Sequence, residues 1–262
     1  MDKKKKILAA IIAATMLTSS VSSMAFAVAD TNPASAYTNG NVALMDDENS
    51  TVYYTDDFSS YTSTGISVQG TAGQTATLGN LDLALGARGS GGDTTSVISI
   101  GQDGDNNYLK FVSGKYASSE RGASFTFNSA CNIPAYASIE DGKVLQMSFK
   151  AYFKDAAATM QIFGLTSDDK TGNGDVVNDP YLSVGNNAQI PTAQWVDVNI
   201  EVDNTGAANM VMTDTDGNLL SAKSFKASGT ALGKVAFYGA ASEVYMDNLA
   251  VKQTAKTTSA LT

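Results

Sequence analysis

Between Leu145 and Lys154 apolar and polar side chains alternate: Leu145, Met147, Phe149, Ala151 and Phe153 interleave with Gln146, Ser148, Lys150, Tyr152 and Lys154. A period of two places the first set on one face of a β-strand and the second on the other. The same signature recurs where Val196, Val198, Ile200 and Val202 interleave with Asp197, Asn199, Glu201 and Asp203, one face dry and one wet. Shorter alternating runs at 108–112, 123–127, 159–165, 209–213, 219–225, 235–238 and 243–251 predict further strands. Turn signals separate them, among them Asp103-Gly104, Asn128-Ser129, Asp141-Gly142, Gly172-Asn173-Gly174, Asp216-Gly217 and Gly239. Asp216-Gly217 between two such runs predicts a hairpin.

Many antiparallel strands with one wet face must bury their dry faces against each other. The predicted fold is therefore all-β, an antiparallel β-sandwich of the jelly-roll kind, with a closed barrel as the alternative that periodicity does not distinguish. Tyr53, Tyr54, Phe125, Phe149, Phe153 and Phe237 are expected in its core or rim. At the N-terminus Lys3, Lys4, Lys5 and Lys6 precede an apolar run from Ile7 to Leu17, shorter than the about 20 residues that span a bilayer. With small residues at Ala25, Ala27 and Ala29, residues 1–27 read as a signal peptide. Residues 28–50 follow as a polar leader, 51–253 as one domain, and 254–262 as a tail expected to fray. The mature protein is expected outside the cell, monomeric and not inserted in a membrane.

Composition narrows the chemistry. Charged residues make up 16% of the chain, there is no histidine, and there is one cysteine. These absences exclude His/Cys zinc sites, a Ser-His-Asp triad, a Cys-His pair and any internal disulfide. Cys131 is expected to be a buried, inert thiol. Losing residues 1–27 removes four lysines and one aspartate, which takes the formal charge from -9 to -12. A surface of that sign disfavours nucleic acid and anionic lipid, and favours neutral polymers, cations or basic partners.

Four segments recur in order over about 200 residues: Tyr54-Thr55-Asp56-Asp57-Phe58-Ser59-Ser60-Tyr61, Asn107-Tyr108-Leu109-Lys110-Phe111, Trp195-Val196-Asp197-Val198 and Val244-Tyr245-Met246-Asp247-Asn248-Leu249-Ala250-Val251. In these the chain resembles the concanavalin A-like and laminin G-like jelly-roll modules of secreted bacterial proteins, often attached to polysaccharide-degrading enzymes such as pectate lyases. The resemblance implies binding of a polysaccharide or cell-wall glycan, and in some branches glycoside hydrolysis or polysaccharide lysis. It also implies a structural Ca²⁺, for which Asp56 and Asp57 of the first strand and Asp247 with Asn248 of the last would supply hard oxygen ligands. Strand-end aspartates capping turns are the alternative. Two loops offer other oxygen sets, Asp103, Asp105, Asn106 and Asn107, or Asp168, Asp169, Asn173, Asp175 and Asp179, neither in an EF-hand register.

For catalysis, Glu201 and Asp203 share a strand face, but Asn204, Thr205 and Gly206 follow and bring no third carboxylate. Lys150 with Tyr152 on one wet face is the remaining pairing for lyase chemistry. The Gly-rich run 86–92 lacks the Gly-Lys-Ser/Thr ending of a phosphate loop. For sugar binding, exposed rings that stack on pyranose faces are needed beside polar groups that read hydroxyls. Strand parity turns Tyr152 and Trp195 outward, and Lys150 with them. Tyr116, Arg121 and Arg88 lie in or beside loops that could flank a groove. Trp195 has the competing option of packing over a sandwich edge. The expectation is a secreted, non-catalytic carbohydrate-binding protein. A jelly-roll polysaccharide lyase or glycoside hydrolase and a structural or adhesive cell-surface protein are the alternatives.

Overall fold

Strand pairing in the computed structural model forms two antiparallel sheets; it describes residues 49–62, 67–69, 74–85, 96–113, 123–155, 158–162, 164–165, 182–183, 191–238 and 242–256. In chain order the strands are β1 (Thr51–Asp56), β2 (Ser67–Gln69), β3 (Thr75–Leu78), β4 (Leu81–Leu85), β5 (Val97–Asp103), β6 (Asn106–Val112), β7 (Ala123–Phe127), β8 (Lys143–Phe153), β9 (Thr159–Ile162), β10 (Leu182–Ser183), β11 (Trp195–Asp203), β12 (Ala207–Asp214), β13 (Leu219–Lys226), β14 (Val235–Tyr238) and β15 (Glu243–Ala255). The larger sheet runs β13-β12-β11-β8-β15-β6-β5-β2, with β1 also paired to β15, and the smaller runs β10-β9-β14-β7-β4-β3. Both orders are open, so the molecule is a jelly-roll sandwich and not the closed barrel. The signal peptide, most of the leader and tail residues 257–262 lie outside the described residues.

The two dry faces meet as alternation requires. Leu145, Met147, Phe149, Ala151 and Phe153 of β8 and Val196, Val198, Ile200 and Val202 of β11 are all buried. Opposite them the smaller sheet supplies Leu81, Leu83, Phe125 and Phe237. Phe111 of β6 stacks on Phe237 of β14 with centroids 4.2 Å apart, a ring contact that bridges the sheets. The expected core rings Tyr54, Phe125, Phe149, Phe153 and Phe237 are buried, and Tyr53 is partly buried against them.

The spine of the larger sheet is β15. It pairs β8 from Val244 to Ala255, two residues past the expected end of the domain. Its other edge meets β6 over Glu243–Met246 and then β1 over Leu249–Gln253. Between those partners a register shift at Asp247/Ala250 places Asn248 at φ 51. A bulge of this kind increases local twist and lets one strand change neighbour.

Candidate functional site

On the outward face of the larger sheet, adjacent strands β6, β15, β8 and β11 present Tyr108, Tyr245, Tyr152 and Trp195. Tyr245 lies in the middle of a tyrosine row, stacked on Tyr108 at 4.7 Å and on Tyr152 at 5.0 Å between centroids. The indole of Trp195 lies 5.8 Å from Tyr108 and 5.6 Å from Tyr152, at interplanar angles of 73° and 61°. The tyrosine faces are taken by one another, and the indole reaches both ends of the row. The four rings thus close into one cluster, with Trp195 meeting Tyr108 and Tyr152 in the edge-to-face arrangement that aromatic quadrupoles favour. Trp195 itself is half-buried.

Gly101 of β5 makes room for the row. It is the cross-strand partner of Tyr108, and a Cβ there would lie 2.2 Å from a Tyr108 ring carbon. The aromatic ring thus covers a bare stretch of backbone, and Tyr108 is only 9% exposed.

A charged network fixes the centre of the row. The Tyr245 hydroxyl donates to Glu243 Oε2 at 2.7 Å, and Glu243 also binds Lys154 Nζ at 2.7 Å and Lys110 Nζ at 3.1 Å. Burial alone would push the Glu243 carboxyl up, but hydrogen bonds from Lys154, Tyr245 and Lys110 outweigh it and hold the group at about 2. The same contacts act on Tyr245, whose hydroxyl is pushed up by burial and then by the Glu243 carboxylate. Lys110 Nζ also sits 5.5 Å from the Tyr245 ring centroid.

Next to the rings, Lys150 of β8 is the partner of Asp197 on β11 and of Asp247 on β15. Burial pushes the Asp197 carboxyl up, against the opposing charge of Lys150 and with a further push from Asp214. Asp247 is likewise pushed up by burial, against hydrogen bonds from Asn106 Nδ2 at 3.2 Å and the Asn248 amide at 2.7 Å.

The structure brings Tyr152, Trp195 and Lys150 together, as strand parity predicts. Arg88, Tyr116 and Arg121 lie outside the described residues. Tyr108 and Tyr245 complete the site and were not singled out as ligand-facing from the sequence. Both hold the outward parity of their strands, so the same reasoning could have found them.

The three aspartates that the resemblance assigns to calcium each make hydrogen bonds within the protein. Asp56 accepts from the Phe58 amide at 2.7 Å and from the hydroxyls of Tyr54 and Tyr61 at 3.1 and 3.0 Å. Asp57 accepts from the amide and hydroxyl of Ser59, at 3.0 and 2.7 Å. Among the described residues no group of three or more His, Cys, Asp or Glu side chains is placed to hold a metal ion. Of the alternative oxygen sets, Asn106 is engaged with Asp247 and Asn107 donates to the carbonyls of Ser59 and Tyr61. The set from Asp168 to Asp179 lies outside the described residues. Nor do Glu201 and Asp203 form an acid/base pair. Glu201 accepts from Gln146 at 3.3 Å, while Asp203 caps the β11–β12 turn through Thr205 and Ala207 and binds Lys256 at 2.7 Å.

No family model matches the chain, and no curated protein matches it in sequence. Among solved structures it is similar to a protein of unknown function from Shewanella oneidensis, with 13% identity over 74% of this chain and 87% of that one and a TM-score of 0.42. It is similar to a candidate sugar-binding protein from Bacteroides thetaiotaomicron, at 14% identity, 71% and 95% coverage and a TM-score of 0.38. A third is the CBM22-1 xylan-binding domain of Paenibacillus barcinonensis Xyn10C, at 7% identity, 79% and 96% coverage and a TM-score of 0.31. At these identities no residue role passes from them to this chain.

Proposed function

We propose that the protein is an exported, non-catalytic polysaccharide-binding protein that holds its ligand against the outward face of the larger sheet. One observation carries this reading: the half-buried Trp195 is braced edge-to-face by Tyr108 and Tyr152 on the outward face of the sheet, beside the stacked Tyr108, Tyr245 and Tyr152 rings. A ring held still by its neighbours and still partly exposed stacks on the apolar face of a sugar at little entropic cost. Lys150, Asp197 and Asp247 supply hydrogen-bonding groups beside it. The basic and apolar segment from Lys3 to Leu17 supports export. Calcium has no part in this reading, because the aspartates that the resemblance assigns to it are engaged elsewhere.

Affinity electrophoresis through gels containing soluble polysaccharides tests the proposal. The wild-type chain is expected to be retarded by at least one polymer, and Trp195→Ala to lose at least about tenfold in affinity, or ~1.4 kcal/mol. Retardation that survives Trp195→Ala unchanged would place the ligand elsewhere. Turnover of the retarding polymer would make the protein an enzyme.

A further inference from the structure

Two rungs below the indole the outward face holds polar atoms without partners. Ser148 of β8 and Asn199 of β11 are cross-strand partners. Ser148 Oγ and Asn199 Oδ1 are sealed from solvent and neither makes a hydrogen bond, and Ser148 as a whole is 9% exposed. A buried polar atom left unpaired costs free energy, so native structures rarely keep one without a use. Two residues along the same strands, between this pair and the Tyr152–Trp195 pair, lie Lys150 and Asp197. Asp247 flanks Lys150 from β15. A step of two residues along a strand covers about 7 Å. A sugar on Trp195 therefore places its neighbour in the chain over the Asp197–Lys150 rung, with Ser148 and Asn199 beyond.

We propose that Ser148, Lys150, Asp197, Asn199 and Asp247 form a hydroxyl-reading subsite next to the indole, and that the glycan it takes is uncharged. The inference rests on the polysaccharide reading above and adds the substrate class. The row is rich in acceptors: two carboxylates and the Asn199 amide oxygen face a single cation, Lys150, and one hydroxyl, Ser148. Sugar hydroxyls suit such a set, because each donates to a carboxylate or amide oxygen and can accept from Lys150 or Ser148. A uronate or sulfate would add a further anion to a site where two carboxylates are already drawn partly out of water. The ammonium of an amino sugar would be drawn to Asp197 and Asp247 but repelled by Lys150, which lies between them, so it gains less there than a hydroxyl that donates to a carboxylate and accepts from the lysine. Lys150 carries its charge on a long flexible stem, whose displacement by the incoming ring opens the way to Ser148 and Asn199.

The test uses the full mature chain and four soluble probes: a mixed-linkage β-glucan, a galactomannan, polygalacturonate and chitosan. Binding is read by gel retardation and by the emission of Trp195, the one tryptophan of the chain. At least one neutral polymer is expected to bind, and polygalacturonate and chitosan are expected not to. Ser148→Ala and Asn199→Ala should each weaken neutral-polymer binding about fivefold. Ser148→Ala removes only an unpaired hydroxyl, so its melting temperature should stay at or above that of the wild type. A protein that merely needs Ser148 for folding would lose melting temperature and affinity together. If Trp195→Ala abolishes binding while Ser148→Ala and Asn199→Ala bind as the wild type does, the subsite is overturned and the polysaccharide reading stands. Preferred binding of polygalacturonate or chitosan overturns the uncharged class. Binding of none of the four overturns the polysaccharide reading and the subsite with it.

Discussion

Gly101→Ala acts on the aromatic row without touching a residue of the dry core. The added Cβ would lie 2.2 Å from one Tyr108 ring carbon and 2.7 and 3.0 Å from two others, where non-bonded carbons rest at about 3.5–4.0 Å. The ring must move by more than an ångström, yet Tyr245 is stacked on it at 4.7 Å and Trp195 lies 5.8 Å away. Overpacking of this sort costs about 1–3 kcal/mol. Alanine returns up to about 1 kcal/mol by lowering the entropy of the unfolded chain, since Gly101 sits in an ordinary strand. The net expectation is a loss of about 1–2 kcal/mol, or roughly 3–6 °C in melting temperature for a domain of this size. Displacing Tyr108 unseats the indole, so the emission of Trp195 should shift to the red and affinity for the retarding polymer should fall about fivefold. Tyr108→Ala serves as the second arm of a double-mutant cycle, because in its background the Gly101→Ala penalty should vanish. An unchanged melting temperature and emission spectrum in Gly101→Ala would show that Tyr108 is not seated on Gly101, and the described platform would be wrong.

Acid should unlock the same region. Glu243 is held at about 2 against an ordinary 4.5, so the stability it contributes is complete above the ordinary value and is lost as the pH falls toward 2. The full shift corresponds to an upper limit of about 3 kcal/mol, which solvent screening of its partly exposed partners reduces to about 1–2 kcal/mol. Urea unfolding at pH 6 and pH 3 should show a smaller loss for Glu243→Gln than for the wild type; equal losses would rule this out. Asp56→Ala should cost about 2–4 kcal/mol through its three hydrogen bonds, by the same amount in EDTA and in calcium chloride. A melting temperature that calcium raises in the wild type but not in the variant would restore Asp56 as a metal ligand. Cys131 is 4% exposed and its thiol is pushed up by burial, so a thiol reagent should label it in urea and not in buffer. Rapid labelling of the native protein would contradict that burial.

Much of the fold is readable as alternation because β8 and β11 each gather their polar residues on one face, and a period of two then separates core from surface. The Asp216-Gly217 hairpin is equally local. Gly217 takes φ 84, and Asp214 Oδ1 accepts from the amides of Asp216 and Asn218 at 3.0 and 2.8 Å. The strands between 67 and 103 escaped. In β4 Leu81, Leu83 and Leu85 do alternate with Asp82 and Ala84, but the run is short, and its partner β3 and the strand β2 of the other sheet are shorter and built largely of Ser, Thr, Val and Ala. Phe58 is harder still. It is completely buried at φ 56, in a turn made by Asp56 accepting its amide. A left-handed phenylalanine runs against local preference and is held by tertiary packing together with the Asp56 carboxylate. In the same turn Asp56, one of the aspartates that the resemblance assigns to calcium, holds Phe58, Tyr54 and Tyr61 in place.

The site was legible in direction but not in assembly. Parity turns Tyr152 and Trp195 outward, and it does the same for Tyr108 and Tyr245. What brings the four together is the strand order β11-β8-β15-β6, which joins residues as distant in sequence as 108 and 245. No local pattern encodes that order. It follows from which dry faces pack and from the bulge that hands β15 from β6 to β1. The order also reconciles the two readings of Trp195, packed ring or ligand contact. Its edge-to-face contacts with Tyr108 and Tyr152 hold the ring still while leaving it half-buried rather than sealed, so the packing that stabilises Trp195 is also what prepares its exposed part to meet a sugar.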